Sequence, residues 1–317
     1  EIFGEDRLRE HAVSLAQSHR TMPSGVSHRA VLARIRGNHS ILRLANEELL
    51  EAVSAGHMIT PAAEWLVDNF YTAEQHIQQA IEDLPSGYYR QLPKLMDGHL
   101  KSYPRVMAIA WAYIAHTDSH FAATTLAEFV NAYQTVSPLT IGELWALAIH
   151  LRILLIENAA RIAVRTVVSR QARVEADALA EGLASGKTRF DDVERIMSNF
   201  AEHAKLSFMV QLMRRMRSLR DVDASTVTQL HHIMHAIGHD GEGAAHEEHG
   251  RPVANNLTMQ NIFTSLNRIG EKDSEERFEH VSLVDQTLSE SESYRGLDGA
   301  SRTTYRRTIE DLARHSN

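Results

Sequence analysis

From Arg29 to Val53 the apolar residues Val31, Leu32, Ile35, Ile41, Leu42, Leu44, Leu49 and Leu50 recur at intervals of three or four. That is the period of a helix with one buried face, not the alternation of a strand. Thr60-Pro61 predicts the next helix start, because Thr can cap and Pro is tolerated at the first helical position. This helix runs to Leu84, before Pro85-Ser86-Gly87. A loop-rich connector extends to Tyr103, and a helix starts near Pro104 and ends near His116 to Ser119. A shorter helix carries Leu126, Phe129, Val130 and Tyr133 on one face. Thr140-Ile141-Gly142-Glu143 has the form of a capping box. The long helix it opens runs to about Gly182. Its most apolar stretch, Leu144 to Ile156, is interrupted by His150 and Arg152. It falls short of the roughly 20 residues a bilayer needs, so it reads as a buried core helix.

Ala184-Ser185-Gly186-Lys187 is the best linker. Beyond it, helices are expected at about 190–220, 224–237, 251–268, 272–290 and 300–314, with a turn at Asp240-Gly241-Glu242-Gly243. There is no internal repeat and no segment of period two. Only 7 prolines and 16 glycines leave room for long helices. The fold predicted is all-α, a multi-helix bundle of two packed subdomains, 1–184 and 188–317.

The net charge is −8, divided −5 over residues 1–160 and −3 over the rest. Neither half is basic, which argues against nucleic acid as a partner and against broad capture of anionic lipid. The absence of cysteine excludes disulfides, thiolate metal sites and a Cys nucleophile. Glu1 to Arg20 is charged throughout and has no signal-peptide pattern. The chain begins at Glu1 without methionine, as a fragment of a longer protein would.

Two groups of residues invite a chemical reading. His231, His235 and His239 are four apart, so neighbours share a helix face, as helical metal ligands often do. His246 and His249 add a shorter spacing, but no His-Glu-x-x-His sequence occurs. Taken functionally, these would serve a metal-dependent hydrolase; in a chain with 19 histidines the favoured reading is ordinary surface or packing residues. The second group is polar and aromatic: Glu64, Trp65, Asp68, Tyr88, Tyr89, Arg90, Lys94, Asp97, Tyr103, Arg105, His116, Asp118, Glu143 and Trp145. Sugars are held by ring stacking and polar contacts, so Trp65, Tyr88, Tyr89 and Trp145 could serve a stand-alone carbohydrate-binding module. The favoured reading is again structural, with Glu64, Asp68, Arg90, Arg105, Asp118 and Glu143 fixing helix register or an interface. Met209, Met213 and Met216 read as core filling, and Arg214, Arg215, Arg217 and Arg220 as a solvated basic face. Dinucleotide, P-loop and Gly-x-Ser-x-Gly motifs are absent.

Nine strings, in order along the chain, resemble the amino-terminal region of cyclic β-1,2-glucan synthases. They include Arg7 to Ala16 (RLREHAVSLA), Ile59 to Phe70 (ITPAAEWLVDNF), Gly87 to Leu95 (GYYRQLPKL), Tyr103 to Ser119 (YPRVMAIAWAYIAHTDS) and Pro138 to Leu147 (PLTIGELWAL). The later ones are Phe208 to Arg217 (FMVQLMRRMR), Asn256 to Leu266 (NLTMQNIFTSL), Phe278 to Leu288 (FEHVSLVDQTL) and Tyr305 to Arg314 (YRRTIEDLAR). The resemblance implies a parent enzyme of the bacterial inner membrane, with this region on its cytoplasmic face. The parent would polymerise glucose from UDP-glucose with a divalent metal, then cyclise the chain and trim it by phosphorolysis. The implied partners are the transferase and membrane domains of the same chain, and β-1,2-glucan. The transferase's Asp-x-Asp and Gln-x-x-Arg-Trp motifs are missing here: Asp191-Asp192 is not the first, and Trp65, Trp111 and Trp145 lack the second. The resemblance thus implies an accessory region with no catalytic residue and no cofactor of its own.

Overall fold

The computed structural model describes residues 1–219, 224–236, 241–270 and 281–315. Among these are fourteen helices and a single pair of two-residue strands, so the predicted all-α class is observed. The strands, β1 (Thr21–Met22) and β2 (Lys94–Leu95), are antiparallel, with Thr21 opposite Leu95. The contacts group the chain into two compact units, both discontinuous in sequence. The first comprises Glu1–Ser40, Asn69–Asn158 and Asn261–Asn317; the second comprises Ile41–Asp68 and Ala159–Gln260. The division expected at 184–188 coincides with a helix end at Ala184, while the units interleave along the chain. All four changes of unit fall within helices, in α2 (His28–Ser54), α3 (Pro61–Glu82), α7 (Ile141–Ala184) and α11 (Gly241–Gly270).

In the first unit, α1 (Glu5–Ser18) buries Leu8, Ala12 and Ala16, a stripe at spacing four. It packs on α6 (Ala123–Gln134), which buries the expected Leu126, Phe129, Val130 and Tyr133. Each large side chain so covered contributes about 1.5–3 kcal/mol. The helix α5 (Arg105–His116) is buried on nearly every side, and Leu144 to Ile156 of α7 is buried almost throughout, as its composition predicts. No helix among the described residues is long and apolar enough to cross a membrane.

Where charge enters this interior it is matched. Arg105 donates through Nε and Nη2 to both oxygens of Glu143, the Nη2 contact at 2.8 Å. It also donates to Ser137 Oγ at 2.7 Å and to the Pro138 carbonyl at 2.8 Å. Glu143 is fully buried and doubles as the capping-box acid. Its carboxylate accepts from the Thr140 backbone N–H at 3.0 Å, and its own N–H donates to Thr140 Oγ1 at 3.2 Å. Lys94, also buried, donates to the carbonyls of Tyr89, Arg90 and Leu92, closing the end of α4 (Ser86–Gln91). The connector from Pro85 to Tyr103 is therefore more ordered than its composition suggests. Near the carboxyl terminus, α12 (Leu283–Leu288), α13 (Glu292–Arg295) and α14 (Gly299–His315) are joined through Asp285. Asp285 Oδ1 accepts from Arg306 and from Tyr294 Oη, each at 2.7 Å.

In the second unit, Ala172, Ala176 and Ala180 of α7 meet Phe208, Met209, Leu212, Met213 and Met216 of α9 (Glu202–Ser218) in one core. Leu230, Ile233 and Met234 of α10 (Ala224–Ala236) close it. The methionine set is thus core, as expected. The single helix expected over 190–220 is instead two, α8 (Asp192–Met197) and α9. Ser198 turns its hydroxyl back onto the Arg195 carbonyl at 2.7 Å, and Ala201 is extended, so the helix must restart. The turn expected at Asp240 to Gly243 is also corrected in part: Gly241 already opens α11, which continues through Pro252. Asp240 lies outside the described residues, as does much of the helix expected at 272–290.

Removing one member of the buried pair exposes the other's unmet charge. Glu143→Ala is expected to lower unfolding free energy by about 3–5 kcal/mol, measured by urea denaturation, and Arg105→Met in the same chain should recover part of the loss. A loss below about 1 kcal/mol would show the pair to be dispensable. A second expectation concerns three histidines of the first unit. Burial pushes His19, His76 and His150 down to about 4, aided by the charges of Arg105, Arg152 and Lys94 respectively. Their lowered folded values mean that the unfolded chain binds more protons between about pH 4 and 6.5. The stabilisation is complete above that window and is lost as the pH falls through it, at up to about 1.4 kcal/mol per pH unit for each ring. The melting temperature should therefore fall from pH ~7 to ~5, less steeply in His150→Leu; a flat profile contradicts this.

Candidate functional site

Of the residues singled out by sequence, the structure brings Arg105 and Glu143 together as the ion pair described above. Tyr88 joins them by donating its hydroxyl to the Gly142 carbonyl. Tyr89 is buried and donates to the Val26 carbonyl at 3.0 Å, which leaves no ring face for a sugar to stack upon. Arg90 is exposed, and Trp145 is half-buried. Asp118 has a left-handed backbone at φ 50° and accepts from Asn261 Nδ2 at 3.0 Å through its carbonyl. These residues all belong to the first unit. Glu64 and Asp68 are exposed on α3 and Trp65 is half-buried between them, all in the second unit. The group is divided between the two units.

His231 and His235 are exposed on α10, and Arg217 approaches His231 Nε2 at 3.4 Å. His239 lies outside the described residues. Among the described residues, no three His, Asp or Glu side chains are gathered as a metal ion would require.

A polar cavity of about 80 Å³ lies wholly in the second unit. Its walls come from four helices. Arg165, Ser169 and Arg173 stand four apart on α7, with buried Thr166 beside them. His203 and Ser207 share a face at the start of α9. Glu248, Arg251 and Asn255 come from α11, and Thr60, next to the start of α3, completes the rim.

The one carboxylate is held twice, by Arg173 at 3.0 Å and by the Ser207 hydroxyl at 3.0 Å. Arg251 donates to the His203 carbonyl at 3.1 Å. Arg165 is exposed and makes no ion pair among the described residues. His203 Nε2 is buried and has no hydrogen-bond partner among them. Burial first, then the charges of Arg165 and Arg251, lower the His203 pKa. Pro252 has no N–H, so the Glu248 carbonyl one turn earlier loses its usual helical donor. Two wider depressions of about 430 and 680 Å³ continue along α7, sharing Thr60, Thr166 and Arg173 or Arg170 and Val174. Sequence inspection passed over this cleft. The four-residue spacing of Arg165, Ser169 and Arg173 was the available signal, but it does not say what faces it.

No protein-family model matches the chain. It is 39% identical over 319 residues to the cyclic β-(1,2)-glucan synthase NdvB of Rhizobium meliloti (strain 1021). That alignment takes in 99% of this chain and 11% of the relative. The chain is related to one segment of that synthase. The resemblance carried by the nine strings is thereby borne out, and it extends through both units of this synthase-related segment.

Exposed histidines that pack against little should be dispensable for folding. In the synthase-related segment, His231→Ala with His235→Ala is expected to change stability by less than about 0.5 kcal/mol, read by urea denaturation. A larger loss would give these rings a structural or ligand-holding role.

Proposed function

We propose that the chain is the amino-terminal helical accessory region of a cyclic β-1,2-glucan synthase, lying at the cytoplasmic face of the inner membrane. In this reading it supports the glucosyltransferase that builds the glucan from UDP-glucose with a divalent metal. It performs no bond chemistry itself. The observation that carries the reading is the even match, 39% identity along 99% of the chain, to a protein nine times longer by the 11% covered. The arrangement of polar groups is consistent with support. Arg105, Glu143, Lys94, Asp285 and Arg306 spend their hydrogen bonds on holding helices together. Groups so engaged fix shape rather than attack a substrate.

The test removes residues 1–317 from the longer protein that carries them and follows cyclic glucan formation in membranes supplied with UDP-glucose. Synthesis is expected to fall at least tenfold while phosphorolytic trimming of added linear glucan persists. Undiminished synthesis by the truncated enzyme at equal membrane abundance overturns the accessory role.

A further inference from the structure

We propose that the cleft between α7, α9 and α11 in the second unit is a binding site for a phosphoryl group. The inference does not depend on the synthase reading. It stands on the charge, the donors and the size of the cleft.

Among the described residues the lining carries three guanidinium groups and one carboxylate, in a chain whose net charge is −8. Local positive charge of this kind is not a by-product of a basic protein. The carboxylate is already committed to Arg173 and Ser207. Arg165 has no ion-pair partner among the described residues, and a phosphate monoester would bring between one and two negative charges to it. Guanidinium is also the group best shaped to hold phosphate oxygens in pairs.

The donors converge from separate elements. Arg165 and Ser169 lie on one face of α7, Thr60 precedes α3, and His203 opens α9. A tetrahedral group with three free oxygens can use donors arriving from several directions. His203 supplies the decisive detail. His203 lines the cleft beside two arginines, and its Nε2 is buried without a hydrogen-bond partner among the described residues, a costly state. A phosphoryl oxygen would accept a hydrogen bond from that nitrogen as Nε2–H.

Size is compatible as well. A volume of about 80 Å³ holds a handful of waters, since each needs roughly 10–15 Å³ by this measure. A phosphoryl group can replace such a cluster. What the phosphoryl is attached to would extend into the wider depressions along α7.

The chemistry is shared by soluble phosphates and by phospholipid headgroups, so the test has two arms. The 317-residue chain is titrated calorimetrically with inorganic phosphate and pyrophosphate, and separately mixed with phosphatidylcholine vesicles with and without phosphatidic acid. Saturable binding in the first arm assigns a soluble phosphate. Binding confined to phosphatidic acid vesicles assigns a headgroup. In either arm Arg165→Ala and His203→Gln should each weaken binding about tenfold. Arg165 is exposed, so its replacement should leave the fold intact, as a thermal melt would verify. Arg214→Ala, an exposed arginine outside the cleft, should leave binding unchanged. No binding in either arm, or equal weakening by Arg165→Ala and Arg214→Ala, overturns the proposal.

Discussion

A guanidinium and a carboxylate that leave water together must replace every hydrogen bond they give up, and in the first unit that demand is met at Arg105 and Glu143. The effective penalty is several kcal/mol per ion, so the geometry has little freedom. Arg105 begins α5, Glu143 sits in the first turn of α7, and Ser137 and Pro138 lie on the link before α7. One side chain thus sets the entry of two buried helices and the loop before the second. The capping box is part of the same solution, because the carboxylate that receives Arg105 also receives the Thr140 N–H. Neither function could shift without disturbing the other.

The same rule recurs at smaller scale. Lys94 finds three carbonyls at the end of α4, and Asp285 finds Arg306 and Tyr294. In each case a short or irregular segment that buries little apolar surface is held by a charge. The second unit relies on something different. Its core is apolar and rich in methionine, against a helix face made of alanine. Flexible thioethers fill what small residues leave open, so no buried ion is needed to set the spacing.

How much of this was legible depended on range. The capping box at Thr140, the stripe of α6 and the methionine core could be read because each is written within a few residues. The end of the long helix at Ala184 was readable for the same reason. The break at Ser198 to Ala201 was not, since serine and asparagine weaken a helix without forbidding it. The early start of α11 was hidden by glycines that suggest a turn. Arg306 and Asp285 are 21 residues apart, and nothing local marks either as buried. Among the candidate site residues, Arg105 and Glu143 were both singled out but were not paired in advance. Tyr89 looked like a stacking platform until its burial was known. The interleaved units follow from long-range packing within helices, which composition does not record.

An unmet polar atom does not by itself make a site, and the histidines show why. His76 Nδ1, His150 Nε2 and His203 Nε2 are all buried without a partner among the described residues. For the first two, the consequence is a ring kept neutral, with its pKa pushed down to about 4. Neither lines the cleft. His203 differs because the residue lines a cavity that also presents Arg165, Ser169 and Thr60. Desolvation makes the empty state unfavourable, and the cavity lets an anion relieve it. An unsatisfied atom, an opening and charge of the complementary sign must coincide before a polar cluster becomes a candidate for binding. In the second unit they coincide at this cleft, whereas Glu64 and Asp68, exposed on α3, lack the burial that would give a ligand something to relieve.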